Sequence, residues 1–438
     1  MRPSVRQLAL AFLVLLTLSE RVDAGGFAID DQSARALGSA SAGSAAAAED
    51  ASTIAYNPAG IARLGRSEFV ASAIIVNPAL PFKNHGSTLA TGAPNLGRND
   101  DGATVGFLPN LFVTSPLAPE MTVGLGMFPS FGLKTNYKRG WVGRYEAEDT
   151  ELTSLDFAPT LAYRLTPVIS IGGGPVARYS RAKLTSSIDF GSLGAALGIP
   201  GSIPGGTDGN VKIRGSDWSF GFNAGLLIEP SPETRLGLAY FYNQATTLSG
   251  STEFERPAVG NVISGASGAF VNSPAAARLP YPDRLNVGIV HEVSPALDVR
   301  AGLTWTLWHS LKEFVIHFAN PNQPDAVTVD NWRDRVAYAI GATYKIDPEL
   351  VLRGGFAYDP TPIPDAAHRE PRVPDADRLR LAVGAGYVWS DDTRIDVAYE
   401  HYFNHAAPID ASSPSGDRLI GKTQLSVDIF ALQLTVKY

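Results

Sequence analysis

The chain has 438 residues, a formal charge of −7, 43 glycines, 31 prolines and no cysteine. The acidic balance excludes the basic footprint that nucleic-acid binding needs. The absence of cysteine excludes a disulfide scaffold, and the glycine and proline content argues for many turns rather than an all-helical fold.

The first 24 residues predict a cleaved signal peptide. Arg2 and Arg6 supply the basic part, Leu8 to Leu18 an apolar run, and Val22-Asp23-Ala24 a small-residue cleavage site. Cleavage after Ala24 leaves a chain beginning Gly25-Gly26-Phe27. A membrane anchor is the alternative, but the run is shorter than the roughly 20 residues a spanning helix needs. No later stretch is apolar enough for such a helix.

Residues 25–66 are rich in Ala, Ser and Gly. They suit short helices and turns in a tight space, or a flexible low-complexity tail. From Ser67 to Tyr438 the pattern is one of strands. Strand segments are expected near 67–77, 103–114, 120–128, 152–165, 168–183, 211–228, 234–254, 282–293, 297–318, 334–345, 350–359, 378–389, 394–404 and 425–438. The last shows the period: Phe430, Leu432, Leu434, Val436 and Tyr438 on one face, Ala431, Gln433, Thr435 and Lys437 on the other.

Period alone does not say whether the apolar face meets lipid or a core. The connections decide. Short turns such as Thr166-Pro167 and Ser294-Pro295-Ala296 alternate with long loops such as 184–210 and 255–281. That asymmetry, with an even strand count, predicts an all-β transmembrane barrel of about fourteen antiparallel strands over 67–438, both termini periplasmic. Trp305, Tyr387, Trp389 and Tyr438 suit its interfacial girdles. The opposite faces then line a lumen with Arg284, Asp298, Arg300, Arg353, Arg378, Arg380, Arg394, Asp396 and Glu400. With both signs present, a structural ion-pair network is the plain expectation for these groups. Residues 25–66 would fill the lumen as a hatch.

Several short motifs resemble one family. Gly26-Phe27, Gln32-Ser33-Ala34, Leu37-Gly38, Ala42-Gly43, Glu49-Asp50-Ala51-Ser52-Thr53 and Asn57-Pro58-Ala59-Gly60 look like the N-terminal hatch of FadL/TodX-type outer-membrane transporters of long-chain fatty acids and other hydrophobic compounds. The likeness continues in Phe131-Gly132-Leu133-Lys134-Thr135, Gly140-Trp141-Val142-Gly143-Arg144-Tyr145, Leu279-Pro280-x-Pro282-Asp283 and Tyr358-Asp359-x-Thr361-Pro362. It implies a fourteen-stranded barrel with a hatch, passive uptake with no cofactor, and a route of loop capture, lumen binding, hatch movement and lateral exit at a kinked third strand.

Carried over by residue, the resemblance makes Phe27 a ligand contact and Asn57, Pro58 and Ala59 the gate. Pro129, Phe131 and Gly132 become the kink, since proline cannot continue a ladder and glycine tolerates a bend; Pro129 could instead simply end the strand. Arg181 and Lys183 become candidates for a fatty carboxylate. Alternation from Ile169 and Ile171, however, puts Arg181 on the lipid-facing set. Either Gly172-Gly173-Gly174-Pro175 shifts the register through a bulge, or Arg181 lies above the bilayer. Apolar loop residues (Phe190, Leu193, Leu197, Ile199, Ile203, Phe270, Val271) suit a capture surface or ordinary loop packing.

The implied partners are a hydrophobic small molecule and the outer-membrane lipid and lipopolysaccharide around a monomer. Import of aromatic hydrocarbons, a diffusion porin and an adhesin are the rival functions. An enzyme is disfavoured: there is no G-x-S-x-G elbow and no H-E-x-x-H. His401 and His405 would lie about 13 Å apart at strand rise, too far to share a metal.

Overall fold

The computed structural model describes residues 26–438. The expected signal peptide, its cleavage site and Gly25 lie outside the described residues. Fourteen strands close into one antiparallel ring: β1 (Glu68–Ala79), β2 (Gly106–Ala118), β3 (Met121–Phe128), β4 (Asp149–Arg164), β5 (Ile169–Asp189), β6 (Asp208–Ser231), β7 (Thr234–Tyr242), β8 (Arg284–Ser294), β9 (Leu297–Thr306), β10 (Arg335–Lys345), β11 (Leu350–Asp359), β12 (Arg378–Ser390), β13 (Thr393–Asn404) and β14 (Ser426–Lys437). Each pairs with its chain neighbours, and β1 closes the ring on β14 from Glu68↔Lys437 to Ala79↔Ser426. Closure leaves no unpaired edge strand on the ring, as a barrel in lipid requires. Among the described residues no helix is long and apolar enough to cross a membrane.

The alternation expected from sequence is realised. On β14, Phe430 and Leu432 are about half exposed, whereas Ala431, Gln433 and Thr435 are buried. On β5 the exposed set includes Ile171 and Tyr179, the buried set Ser170, Val176, Arg178 and Ser180. From Ile169 to Tyr179 the outward apolar run covers about 33 Å of strand, or about 25 Å of height at a typical barrel tilt, the thickness of an apolar membrane band.

The long-loop end is more ordered than expected. The segment expected at 234–254 is β7 followed by a break and a strand at Thr246–Glu255. Asn243 holds that break: its N–H donates to Asp283 Oδ1 at 2.9 Å and its side-chain amide to the Pro282 carbonyl at 2.7 Å. The segment expected at 297–318 likewise divides into β9 and Glu313–Phe318, because a short 3-10 turn at Trp308–Ser310 directs Trp308 into the interior. Strands Ser273–Leu279 and Ala326–Val329, unforeseen, extend the wall above the ring. The expected loop 405–424 holds a hairpin that pairs with Phe82–Asn84 in a separate three-stranded sheet.

Residues 26–66 form two short helices, α1 (Ala34–Leu37) and α2 (Ser44–Ala47), and 3-10 turns at Ala51–Ala55 and Pro58–Arg63. Ser33, Asp50 and Asn57 accept backbone N–H groups at the starts of three of these, satisfying donors a short helix leaves open. The segment touches inward faces all round the ring, so the barrel wall must be small beneath it. A Cβ on Gly225 would come within 2.0 Å of Asn57 Oδ1, on Gly237 within 1.9 Å of the Ala45 carbonyl, and on Gly355 within 2.1 Å of the Ser39 carbonyl.

Candidate functional site

Charge holds the N-terminal segment to the wall. Arg35 Nε lies 2.8 Å from Asp396 and 3.1 Å from Asp50, and Arg353 reaches the same Asp396 at 2.9 Å. Arg300 pairs with both Glu49 and Asp298. Arg284 lies 3.0 Å from Asp30, and Arg380 bridges Asp31 at 3.1 Å and Glu400 at 2.8 Å. Burial alone would raise the Glu49 pKa, but Arg300 and Arg353 outweigh it and hold the carboxyl well below the usual range. The lumen charges read from sequence as a wall network are therefore shared with Asp30, Asp31, Arg35, Glu49 and Asp50 of the segment. Sequence reasoning missed those partners.

Asn57, Pro58 and Ala59 are fully buried against β5 and β6. Asn57 Nδ2 donates to the Ala45 carbonyl at 2.7 Å and to the Leu226 carbonyl of β6 at 3.0 Å, while its Oδ1 accepts from Ala59 N at 3.1 Å. One side chain thus ties two turns of the segment to the barrel. Gly172 leaves room for this turn, since a Cβ there would lie 2.8 Å from Ala59 Cα.

The third strand leaves its ladder at Pro129–Phe131. β3 pairs with β4 up to Phe128↔Asp156, and pairing resumes at Gly132↔Thr153 in a strand at Gly132–Asn136. Three residues there face two, a bulge. The strand thus stops at Pro129, and the wall is taken up again beyond it by the strand at Gly132–Asn136. The displaced residues join the N-terminal segment instead: Ile29 N donates to the Ser130 carbonyl and Gly132 N to the Phe27 carbonyl, both at 2.9 Å. On the other side, β3 pairs with β2 only as far as Leu111↔Met127, although β2 continues along β1 to Gly106↔Val76. The two chains meet again where Asn136 N donates to the Gly102 carbonyl at 2.9 Å. Between those points no ladder joins the third strand to β2 among the described residues.

Beside this break lies an aromatic cluster. Phe27 packs edge-on against Trp308 with ring centroids 4.8 Å apart, and also contacts Trp332, Phe131 and Tyr281. The indole N–H groups of Trp308 and Trp332 are buried without a hydrogen-bond partner among the described residues, an unmet polar demand in an otherwise apolar chamber. Next to it, the Arg178 guanidinium sits over the rings of Phe131 and Tyr281, 4.6 and 4.8 Å from their centroids. Arg178 forks onto Asp156 with two contacts of 2.7 Å and donates to Asn243 Oδ1 at 2.8 Å. Ser130 of the bulge donates to the same Asp156 at 2.7 Å. A cavity opens here, lined among others by Phe131, Arg178, Phe222, Asn223, Arg284 and Thr306.

Arg181 and Lys183 are not brought to this cavity. The β5 register against β6 runs without a shift from Ile169↔Ile228 to Asp189↔Asp208. Of the two alternatives for Arg181, the bulge at Gly172–Pro175 is absent, so alternation persists and Arg181 points outward, exposed. Lys183 shares that outward set and is half-buried in an ion pair with Asp149. The cation that faces the interior is Arg178, on the same parity as Ser170 and Val176. Counting alternation from Ile169 would have found it. In the loops, Phe190, Leu193, Ile199 and Phe270 pack together around α3 (Phe190–Ala196) and α4 (Ala258–Ser267), whereas Leu197, Ile203 and Val271 are exposed. Among the described residues no group of acidic or histidine side chains is arranged to hold a metal ion.

The family described as outer membrane protein transport protein (OMPP1/FadL/TodX) matches residues 15–438. A long-chain fatty acid transport protein of Escherichia coli O6:H1 is 29% identical over 413 residues, covering 90% of each chain. The crystal structure of a Pseudomonas aeruginosa FadL homologue superposes with a TM-score of 0.86 at 22% identity, over 94% of this chain and 99% of that one. That of the Pseudomonas putida toluene transporter TodX does so at 0.68 and 17% identity, over 95% and 100%; both likenesses bear on the fold. The match over almost the whole length, together with the closed fourteen-stranded ring, places the protein in the outer membrane and among transport proteins rather than enzymes: the chain belongs to the OMPP1/FadL/TodX family.

Proposed function

We propose that the barrel takes up hydrophobic compounds carrying an acidic head, above all long-chain fatty acids. The route is capture at the loops, binding in the aromatic chamber, movement of the N-terminal segment as a hatch, and lateral exit between β2 and the third strand. The observation that carries this reading is Arg178, a buried cation between two aromatic rings at the point where the wall loses its ladder. An apolar tail fits the rings. The guanidinium offers five donors, so an incoming carboxylate can share it with Asp156, which keeps Ser130 as a second partner. Phe27 fills the chamber in this state, so ligand entry requires it to withdraw. That movement pulls on the backbone bonds from Phe27 and Ile29 to residues 130–132, which couples occupancy to the bulge. A second reading, import of neutral aromatic hydrocarbons, is favoured by the number of rings and by two indole N–H groups that can meet a π-face.

The test uses purified barrel with oleate and toluene as probes. Replacing Arg178 alone would strand Asp156, so the variant is Arg178→Gln with Asp156→Asn. A charge-assisted pair is worth roughly 1.5–3 kcal/mol, so oleate binding should weaken by about 10- to 100-fold with toluene binding unchanged. Oleate binding that survives intact would remove Arg178 from the reading. Toluene binding without any oleate binding would move the function to hydrocarbon import.

A further inference from the structure

The outward face of the barrel changes character at one level across three neighbouring strands. On β5 the outward residues run apolar to Tyr179 and continue as Arg181 and Lys183. On β6 they run Phe222, Phe220 and Trp218 and continue as Ser216, Arg214 and Lys212. On β4, Leu155 and Phe157 give way to Thr153. The register aligns these transitions: Tyr179 faces Trp218 and Leu155, and Arg181 faces Ser216 and Thr153. The outward ring of Trp218 lies against those of Phe157 and Tyr179, with centroids 6.0 and 5.3 Å away. They form an aromatic rim at the top of the apolar band, as expected at a membrane interface. The long-loop end of an outer-membrane barrel is extracellular, so this is the outer-leaflet edge.

Immediately above the rim lies a ledge of cations. Lys183 stands directly opposite Arg214, and Thr185 opposite Lys212. Two strands further round, Arg278 points outward from Ser273–Leu279, opposite Thr247. Like charges placed directly opposite on a sheet face repel and destabilise the pair. Local acids relieve this only in part. Lys183 pairs with Asp149 and stands opposite Glu151, Lys212 stands opposite Glu253, and Arg214 has the same Glu253 at 3.8 Å with both side chains about half exposed. Arg181 and Lys212 make no ion pair among the described residues. From β5 to Ser273–Leu279 the ledge spans three strand spacings, about 14 Å. That is a two-dimensional surface of mixed charge with a cationic excess, centred on the unpaired Arg181, contiguous with the face that meets lipid and turned away from the lumen.

We propose that this ledge binds the phosphorylated sugar headgroup of an outer-leaflet glycolipid, whose acyl chains lie on the aromatic rim below. The occupant follows from charge complementarity and continuity. The apolar band is already the lipid contact, and the groups standing at its upper edge are those that a phosphate-bearing headgroup would meet. Arginine suits phosphate because it offers a fork of donors. The site is separate from the chamber at Arg178, and it gives Arg181 a partner that the interior does not.

The test is binding of a phosphorylated glycolipid to the purified full-length barrel in mild detergent, read by native mass spectrometry. The variants are Arg181→Ser with Arg214→Ser, and Arg181→Lys with Arg214→Lys. Each cation near a charged lipid surface contributes about a fivefold effect, so the serine pair should bind the lipid about 25-fold more weakly and the lysine pair should retain most of the affinity. The same glycolipid stripped of its phosphates should bind wild type as weakly as the intact lipid binds the serine pair. Both positions are exposed, and an unchanged unfolding temperature confirms that the barrel stands. Equal binding by the serine pair, or equal binding of the dephosphorylated lipid, overturns the proposal. Displacement of bound glycolipid by inorganic phosphate alone overturns the choice of a lipid occupant.

Discussion

Asn57→Ala should loosen the N-terminal segment without disturbing the ring. The side chain is fully buried and makes three hydrogen bonds, two as donor to the Ala45 and Leu226 carbonyls and one as acceptor at the start of the turn Pro58–Arg63. Each intramolecular bond contributes about 1 kcal/mol net, and loss of a cap about 0.5–2 kcal/mol. The capping bond is one of the three, so the sum is about 2–4 kcal/mol: the Ala45 and capping bonds hold the segment's own fold, and the Leu226 bond ties it to the wall. At tenfold per 1.4 kcal/mol, the opened state should grow by roughly 30- to 1,000-fold. Native-state hydrogen exchange reads this directly, because amides exchange through the opening that exposes them. Amides of 57–64 should exchange faster in the variant by that factor, while those of β14 keep their protection. If protection at 57–64 is unchanged, or falls equally in β14, Asn57 is not the tie between segment and wall.

Four further outcomes follow from the same geometry. Gly225→Ala puts a Cβ against Asn57 Oδ1, so it should reproduce the faster exchange at 57–64 while removing no polar group. Phe27→Ala should enlarge the aromatic chamber and raise toluene occupancy, measured by calorimetry, since a cavity lined by apolar groups takes up an apolar guest. Closing the unpaired window should block lateral exit. The chain has no cysteine, and Asn110 and Phe128 are the next pair beyond Leu111↔Met127 in the β2–β3 register; oxidising Asn110→Cys with Phe128→Cys should stop oleate uptake, and reduction should restore it. Asp330, in the loops, is pushed up to about 8, first by burial and then by Glu370. A carboxyl raised in the folded state makes folding less favourable as pH climbs from about 4 to about 8. Asp330→Asn should flatten that decline in loop stability, read as protease resistance against pH.

Much of the barrel was legible because alternation and turn length are local signals. Fourteen segments, the inward charges from Arg284 to Glu400 and the outward set on β14 could all be counted from residue types. What escaped depends on pieces far apart in the chain. Asp30 and Arg284, or Glu49 and Arg300, meet only because the segment folds back into the ring, and neither residue announces its partner. Trp308 read as part of a strand, since the turn that carries it inward is defined by packing on Phe27. The displacement of Arg181 by Arg178 is different. Parity on β5 favoured Arg178 throughout, and the pair Arg181 and Lys183, carried over from the resemblance, drew attention to the wrong face. Local periodicity was the stronger guide there, because a one-residue slip would have turned the entire apolar face of a 21-residue strand inward.

The most direct test of gated uptake is entry of oleate, toluene and a small sugar into vesicles carrying the wild-type barrel. A lumen filled by residues 26–66 and a wall open beside the third strand predict entry of oleate, with the sugar excluded. Sugar leaking freely while neither hydrophobic probe enters would mean an open aqueous pore, and would contradict the hatch, the chamber and the lateral exit together.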